Sequence, residues 1–467
     1  MPPGQPSQQH VFQAPTGTRD FYPQELLRRR YIEKAWRDVS IRHGFEEIDG
    51  PTFEHLDLYT VKSGEGIVSE LFSFERAGGE KTYALRPEFT PTLARMYAAR
   101  ASSLPRPTKW FWQQNCFRAE RPQRGRLREF LQWNVDVIGG EGVYADELNL
   151  EAVAVLVELL SFLGLGAEDI RVKVSDRRVI CKSLERHGVA SQTQEQFFAL
   201  LDAREKIGAA EYRQRAHALG LPSAVIAGFD PEDKQVVRFD TDFQGLPAAE
   251  REEAVRKRDT RGDLFHEIAR SGLTSWCEFD NMIVRGLAYY TDMVFEVHEA
   301  GGKERAIAGG GRYDNLIELF GGPPTPAVGF GMGDVVLSLV LQDKGLMPEG
   351  AALLEALSRP GPSLRPDVFV VAAENPGAEA QLLPTLARWR RGEAGRYPPL
   401  HARRSYKSTR NIGKLAKEAD GQHARHFAVI ESETACTLKR LDGAGEPRRL
   451  GLADVGAAVA DAGSGSK

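Results

Sequence analysis

The densest chemistry in the chain lies in the stretch CFRAERPQRGRLREFLQWNVDVIGG, Cys116 to Gly140. Arginines at positions 118, 121, 124, 126 and 128 crowd its first half. A guanidinium fork grips two oxygens of a phosphate or carboxylate at once, so this cluster suits an anionic ligand. The second half alternates, with Leu131, Trp133, Val135 and Val137 set against Gln132, Asn134 and Asp136. That is the two-residue period of a strand, whose successive side chains point to opposite faces. Its polar face could simply be solvated, or it could floor a site with an anion at one end. On the second reading Gln132 and Asp136 share a face and could hold an amine or an imidazole.

Three further stretches put polar residues or glycines where a packed core would not want them. In ALRPEFTPTLAR, Arg86 and Glu88 stand just before a helix expected from about Thr90; ligand binding and plain helix capping by Thr90 and Glu88 both fit. In VRGLAYYTDMVFEV, Arg285 needs an anionic partner if buried, because stranding its charge costs several kcal/mol. Glu278 or Asp280 of the preceding CEFDN could supply it, and so could a ligand. AGGGRYDNL and AVGFGMG let a ligand approach the backbone or simply make tight turns. Neither matches the dinucleotide or Walker glycine spacing.

The elements that must position these residues are legible by period. Leu27, Tyr31, Ala35 and Val39, widened by Ile32 and Trp36, form a helical stripe that opens near Pro23 and ends at Gly44. A strand broken at Gly50-Pro51, a hairpin across Gly78-Gly79 and a second hairpin around Arg121 to Gly125 follow. Locally connected strands predict an α+β fold built on an antiparallel sheet with covering helices. A helix-rich, charged segment at about 189–264 reads as an insertion. LSRPGPSLRP then marks a joint to a small α/β unit. The expected division is a lead-in at 1–14, a main domain at 15–355, a linker at 356–366, a second domain at 367–460 and a tail at 461–467.

The chain has 467 residues, 42% hydrophobic and 27% charged, which suits two or three water-soluble domains. No apolar run approaches about 18 residues, so no membrane span is expected. Four separated cysteines without a CxxC pair, and histidines without an HExxH, argue against disulfide and zinc frameworks and favour the cytoplasm. A net charge of -4 predicts no nucleic-acid partner, yet between Arg388 and Arg449 fifteen basic residues face seven acidic ones.

Taken in order, GTRDFYP, FRAERPQRGRLREF, VRGLAYYTDMVFE and GGGRYDNL resemble the histidyl-tRNA synthetases, a family of class II aminoacyl-tRNA synthetases. The resemblance runs from Gly17 nearly to the end of the chain. It implies a six-stranded antiparallel class II sheet flanked by helices, a helical insertion and a C-terminal anticodon-binding-like α/β domain. It implies a ligase that activates L-histidine with ATP, assisted by Mg²⁺, and passes histidine to the 3′ end of its tRNA. A homodimer through the first helix and the strand around Pro51 is implied as well. By motif position, Arg118 and Arg285 would be catalytic and would contact both substrates. Histidine would be held by Glu88, Phe89, Thr90, Arg118, Gln132, Asp136, Arg285, Tyr289, Tyr290 and Tyr313. ATP would meet Arg118, Glu120, Arg126, Phe130 and Arg285, with Gln123 and Arg124 turned to the tRNA. The motifs imply no protein-bound metal.

Three positions depart from the family pattern. Ala288 stands where an aspartate is usual after VRGL, and Asp136 is one methylene shorter than the usual glutamate. Val336, in GMGDVVL, occupies the place of the arginine that packs over ATP; Arg312 is a candidate replacement. The alternative implied by Val336 is an inactive, synthetase-like histidine sensor or regulator.

Overall fold

The structure is a computed structural model that describes residues 12–63, 65–140, 145–232, 236–238, 264, 268–269, 271–280, 283, 290–443 and 446–464. Arg285, Ala288, Tyr289 and most of the insertion beyond residue 238 therefore lie outside the described residues. The first helix, Pro23–Arg42, begins with proline in its first turn and stops where Gly44 takes φ +78°. Its stripe is buried at Ile32, Ala35, Trp36 and Val39, and Trp36 stacks on Trp133 at 5.9 Å between centroids.

The strands of the main body, in chain order, are β1 Glu46–Glu47, β2 Phe53–His55, β3 Ser73–Glu75, β4 Thr82–Leu85, β5 Thr108–Phe117 and β6 Glu129–Ile138. They continue with β7 Ile170–Asp176, β8 Val236–Arg238, β9 Cys277–Asp280, β10 Met293–Glu299, β11 Ala308–Arg312 and β12 Ala327–Gly333. Nine of them form one sheet in the order β1-β5-β6-β12-β11-β10-β7-β9-β8. This corrects the expected six-stranded antiparallel sheet. The stretch from β5 to β7 is antiparallel throughout, but β1 joins β5 in parallel and β9 joins β7 in parallel. The added edge strands are two to four residues long, too short to print a period on the sequence. β2, β4 and β3 form a separate small sheet around the Gly78 turn.

Helices Pro23–Arg42, Ala145–Phe162 and Asp334–Asp343 pack on one face of the large sheet and close its main core. Leu131, Trp133, Val135 and Val137 point into that core. None of the helices among the described residues is long and apolar enough to cross a membrane.

The C-terminal unit has a five-stranded sheet ordered β14-β13-β15-β16-β17, with β13 Val368–Ala372, β14 Ala402–Arg404, β15 His426–Ile430, β16 Ala435–Arg440 and β17 Arg448–Gly451. Helices Pro376–Arg391 and Ile412–Gly421 start at Asn375 and Asn411, whose side chains accept backbone N–H groups of Ala378 and Lys414. The helix Gly350–Ser358 continues into the segment expected to be linker.

A buried polar network joins this unit to the main body. Lys109 Nζ donates to the His43 carbonyl at 2.6 Å and to Glu151, and Tyr406 also donates to Glu151. Arg404 donates to Glu147 at 3.0 Å, and Arg390 Nη1 donates to His43 Nδ1 at 3.0 Å. Burial alone would raise Glu151, but Lys109, Arg390 and Arg404 hold its carboxyl well below the ordinary range. His43 must be neutral at Nδ1 to accept from Arg390, so Nε2–H donates to Glu158 at 2.9 Å. Burial, reinforced by the Arg390 charge, pushes His43 from 6.5 down to about 4 against the pull of Glu158.

That shift has a signed consequence. Between pH 6.5 and about 4 the unfolded chain binds a proton at His43 that the folded chain keeps off, so stability falls as pH drops across the window. The melting-temperature gap between wild type and His43→Gln is expected to narrow from pH 7 to pH 5. A gap independent of pH would contradict this assignment.

Candidate functional site

The polar face of β6 is not solvated. Gln132, Asn134 and Asp136 are 8%, 4% and 1% exposed, as buried as the apolar face behind them. What makes room for these side chains on the sheet is glycine. Directly opposed residues of antiparallel neighbours share a face, and the register sets Gly333 against Gln132, Gly331 against Asn134 and Gly329 against Asp136. On the next strand Gly309 opposes Gly331 and Gly311 opposes Gly329. Five glycines on one face of β11 and β12 thus make a floor without side chains. A Cβ at Gly329 would sit 2.1 Å from Asp136 Oδ1, and one at Gly311 would sit 2.8 Å from the Tyr290 ring. Gly310 serves the other face, where a Cβ would meet Phe330 Cβ at 2.5 Å. AGGGR and AVGFGMG match no glycine motif; their signal is a period of two on consecutive strands.

Asp136 stands at the deep end of the floor. Its Oδ1 accepts from the Tyr313 hydroxyl, while its Oδ2 is buried with no hydrogen-bond partner among the described residues. Burial raises its carboxyl to about 7 against the opposing bond from Tyr313. An orphaned buried acceptor costs about 1–3 kcal/mol, which a ligand N–H would relieve. Gln132 donates to Asn134 Oδ1 at 2.6 Å, fixing both amides along the same face. Tyr290 lies over Gly311, and its carbonyl accepts from Arg177 at 3.0 Å.

Arg118 marks the opposite end. Its Nε donates to the Pro87 carbonyl at 3.1 Å, and its guanidinium lies 5.0 Å from the Phe130 ring centroid. The Phe130 ring comes within 3.9 Å of a Cβ placed on Gly333. The turn between β5 and β6 closes at Gly125, φ +74°, through paired Gln123 and Arg126 backbone bonds of 2.9 Å. Arg126 is ion-paired with Glu120, and Arg124 Nε donates to Glu304 at 2.8 Å. Gln123 accepts from Arg305 at 3.2 Å. The site therefore runs from an acceptor end to a cationic, aromatic end, and suits a ligand N–H at one end and an anionic, planar group at the other.

Not every residue expected here contributes a side chain. Glu88 is half-buried, and its charge is felt at Cys116 and Tyr59. Phe89 is fully buried and stacked on Trp112 at 4.2 Å, so its ring is core and has no face for a ligand. Thr90 opens the helix Thr90–Ala98, whose N-cap position is Phe89, a residue with no side-chain acceptor for the first-turn N–H groups. Arg86 is structural. It donates to the carbonyls of Asn115, Gly50 and Pro51 at 2.8, 3.1 and 3.2 Å. Arg312, the candidate replacement for the arginine missing at Val336, is held by Asp314 and Asn149 at 2.8 and 3.1 Å. Cys116 shares the site face with Phe130, yet burial pushes its thiol up to about 12, which keeps it unreactive. The described residues contain no group of three or more side chains able to hold a metal ion.

A model of the histidyl-tRNA synthetase family matches residues 17–333. The histidine–tRNA ligase of Opitutus terrae is 40% identical over 339 residues, covering 72% of this chain and 76% of the relative. That of Haloarcula marismortui is 36% identical over 439 residues, covering 92% of this chain and 94% of the relative. The crystal structure of histidyl-tRNA synthetase from Nostoc sp. PCC 7120 aligns with a TM-score of 0.56 at 22% identity, over 96% of this chain and 99% of that one. At that identity the likeness is one of fold.

Proposed function

The chain belongs to the histidyl-tRNA synthetase family, and we propose that it activates L-histidine with ATP and transfers it to tRNA(His). The observation that carries this reading is the buried Asp136 carboxylate, whose Oδ2 lacks a partner among the described residues, on a glycine floor that ends at Arg118. An imidazole N–H is the donor that Oδ2 calls for. A buried acceptor of this kind discriminates strongly against side chains unable to pair with it.

In the first step a carboxylate oxygen of histidine attacks the α-phosphorus of ATP, and the bond to the β,γ-diphosphate breaks, giving histidyl-adenylate and pyrophosphate. In the second, a ribose hydroxyl at the tRNA 3′ end attacks the acyl carbon, losing its proton as AMP departs. Both steps depend on holding reactants in line and neutralising phosphate charge. Arg118 does this between the histidine carboxylate and the α-phosphate. Phe130 stacks on adenine, and Glu120 and Arg126 exchange their mutual ion pair for the adenine amino group and the outer phosphates. Arg285 stabilises the pentavalent phosphorus, while Glu88, Thr90, Gln132, Tyr289, Tyr290 and Tyr313 surround histidine. Mg²⁺, bound together with the nucleotide, would share with Arg126 the neutralisation of the outer phosphates.

Gln123 and Arg124 face the acceptor end of the tRNA, and the basic unit at 367–460 takes the anticodon arm. Residues 15–355 form the catalytic domain with an insertion at about 189–264, and 356–366 connect the two. Two chains pair through the first helix and the segment around Pro51, where Phe53 and Phe74 are 48% and 42% exposed. The protein works in the cytoplasm. A second reading, a histidine-binding regulator without ligase chemistry, draws on Val336 alone. Charging of tRNA(His) with labelled histidine separates the two: histidine binding without acylated tRNA would leave the regulator.

A further inference from the structure

Val336 is 7% exposed and belongs to the main core, so the position where the family usually carries a cation presents only a methyl to the β5–β6 turn. A Cβ placed on Gly125 of that turn would meet Val336 Cγ2 at 3.1 Å and Arg305 Cδ at 3.9 Å. Two side chains from elements far apart in sequence therefore converge on one point of the turn. One is the valine, and the other is an arginine. We propose that Arg305 supplies, from the β10–β11 connection, the cation that Val336 no longer provides, and that its guanidinium contacts the phosphates of bound ATP. This rests on the ligase reading above.

The charges around the turn favour Arg305 over its neighbours. Arg124 is committed to Glu304, with Asp343 at 3.8 Å, and Arg126 is committed to Glu120. Arg305 is exposed, and among the described residues its guanidinium is held only by the neutral Gln123 amide oxygen, at 3.2 Å. A phosphate must break an ion pair to recruit Arg126, but it displaces only one exposed neutral bond to recruit Arg305. The aliphatic stem of Arg305 borders the place a side chain on Gly125 would take. Rotation of its last bonds would release Gln123 and leave the guanidinium free for a phosphate held over the turn.

The test is steady-state histidine-dependent ATP–pyrophosphate exchange on the full chain, comparing wild type, Arg305→Ala and the double variant Arg305→Ala/Val336→Arg, with melting curves to verify folding. Arg305→Ala is expected to lower kcat/KM for ATP by about 10²-fold, with most of the effect on KM for ATP. The KM for histidine should stay within about two-fold, which a general loosening of the site would not spare. A folded double variant, with arginine at the family's usual position, should regain at least about ten-fold. Unchanged ATP parameters in Arg305→Ala, an equal loss for both substrates, or a folded double variant that regains nothing would overturn the proposal. Absence of exchange in wild type would instead overturn the ligase reading on which it stands.

Discussion

Arg118→Ala is expected to lower the histidine-dependent exchange rate by about 10³-fold, at the upper end of what one preorganised donor contributes. The expectation follows from how the side chain is held. Its backbone N–H donates to the Arg128 carbonyl at 2.8 Å, its Nε donates to Pro87 at 3.1 Å, and its guanidinium faces Phe130. The terminal nitrogens are thus aimed before substrate arrives, and no reorganisation is required as charge builds on the phosphorus. Arg118→Lys should recover little, because a single ammonium cannot grip a phosphate and a carboxylate together. Exchange kinetics with a melting curve as control provide the measurement. A loss under about ten-fold in a folded variant would remove Arg118 from the centre of the chemistry.

Asp136→Asn should raise KM for histidine by about 10²–10³-fold while KM for ATP barely moves. The amide keeps the volume and can still accept from Tyr313, but it turns N–H groups toward a ligand that offers one. The wild-type carboxyl, raised by burial to about 7, carries a pH signature. Between 3.8 and about 7 the folded chain holds a proton there that the unfolded chain has released, so this group's contribution to stability declines as pH rises through that window. Binding runs the other way, since the acceptor forms only as that proton leaves. The ratio of wild-type to Asp136→Asn kcat/KM for histidine should therefore climb from pH 6 to pH 8, a comparison in which titration of histidine itself cancels. A flat ratio would mean that Asp136 does not accept from the ligand.

Much of the frame that holds these residues was legible before any coordinates. The stripe from Leu27 to Val39, the stops at Pro23 and Gly44, and the alternation from Leu131 to Val137 are local patterns, and local geometry fixes them. The site was legible as motifs, not as space. Nothing in Gln132, Asn134 and Asp136 alone says that their face is buried; that depends on glycines nearly 200 residues later on the neighbouring strand. Phe89 lay within a site motif, yet Trp112 claims its ring. Arg312 and Arg305 are indistinguishable as charges in the sequence, and only their partners separate a buried, ion-paired guanidinium from a surface cation. The network joining Lys109, Glu151, Arg390 and Tyr406 spans some 300 residues and follows no period.

The most direct test of the whole account is ATP–pyrophosphate exchange by the wild-type chain with each amino acid offered in turn. Exchange with histidine and with no other amino acid is the predicted result. It would establish the histidine-specific ligase and show that Val336 is compatible with catalysis. Histidine bound at the same site without exchange would contradict the account and leave a binding protein built on a synthetase fold.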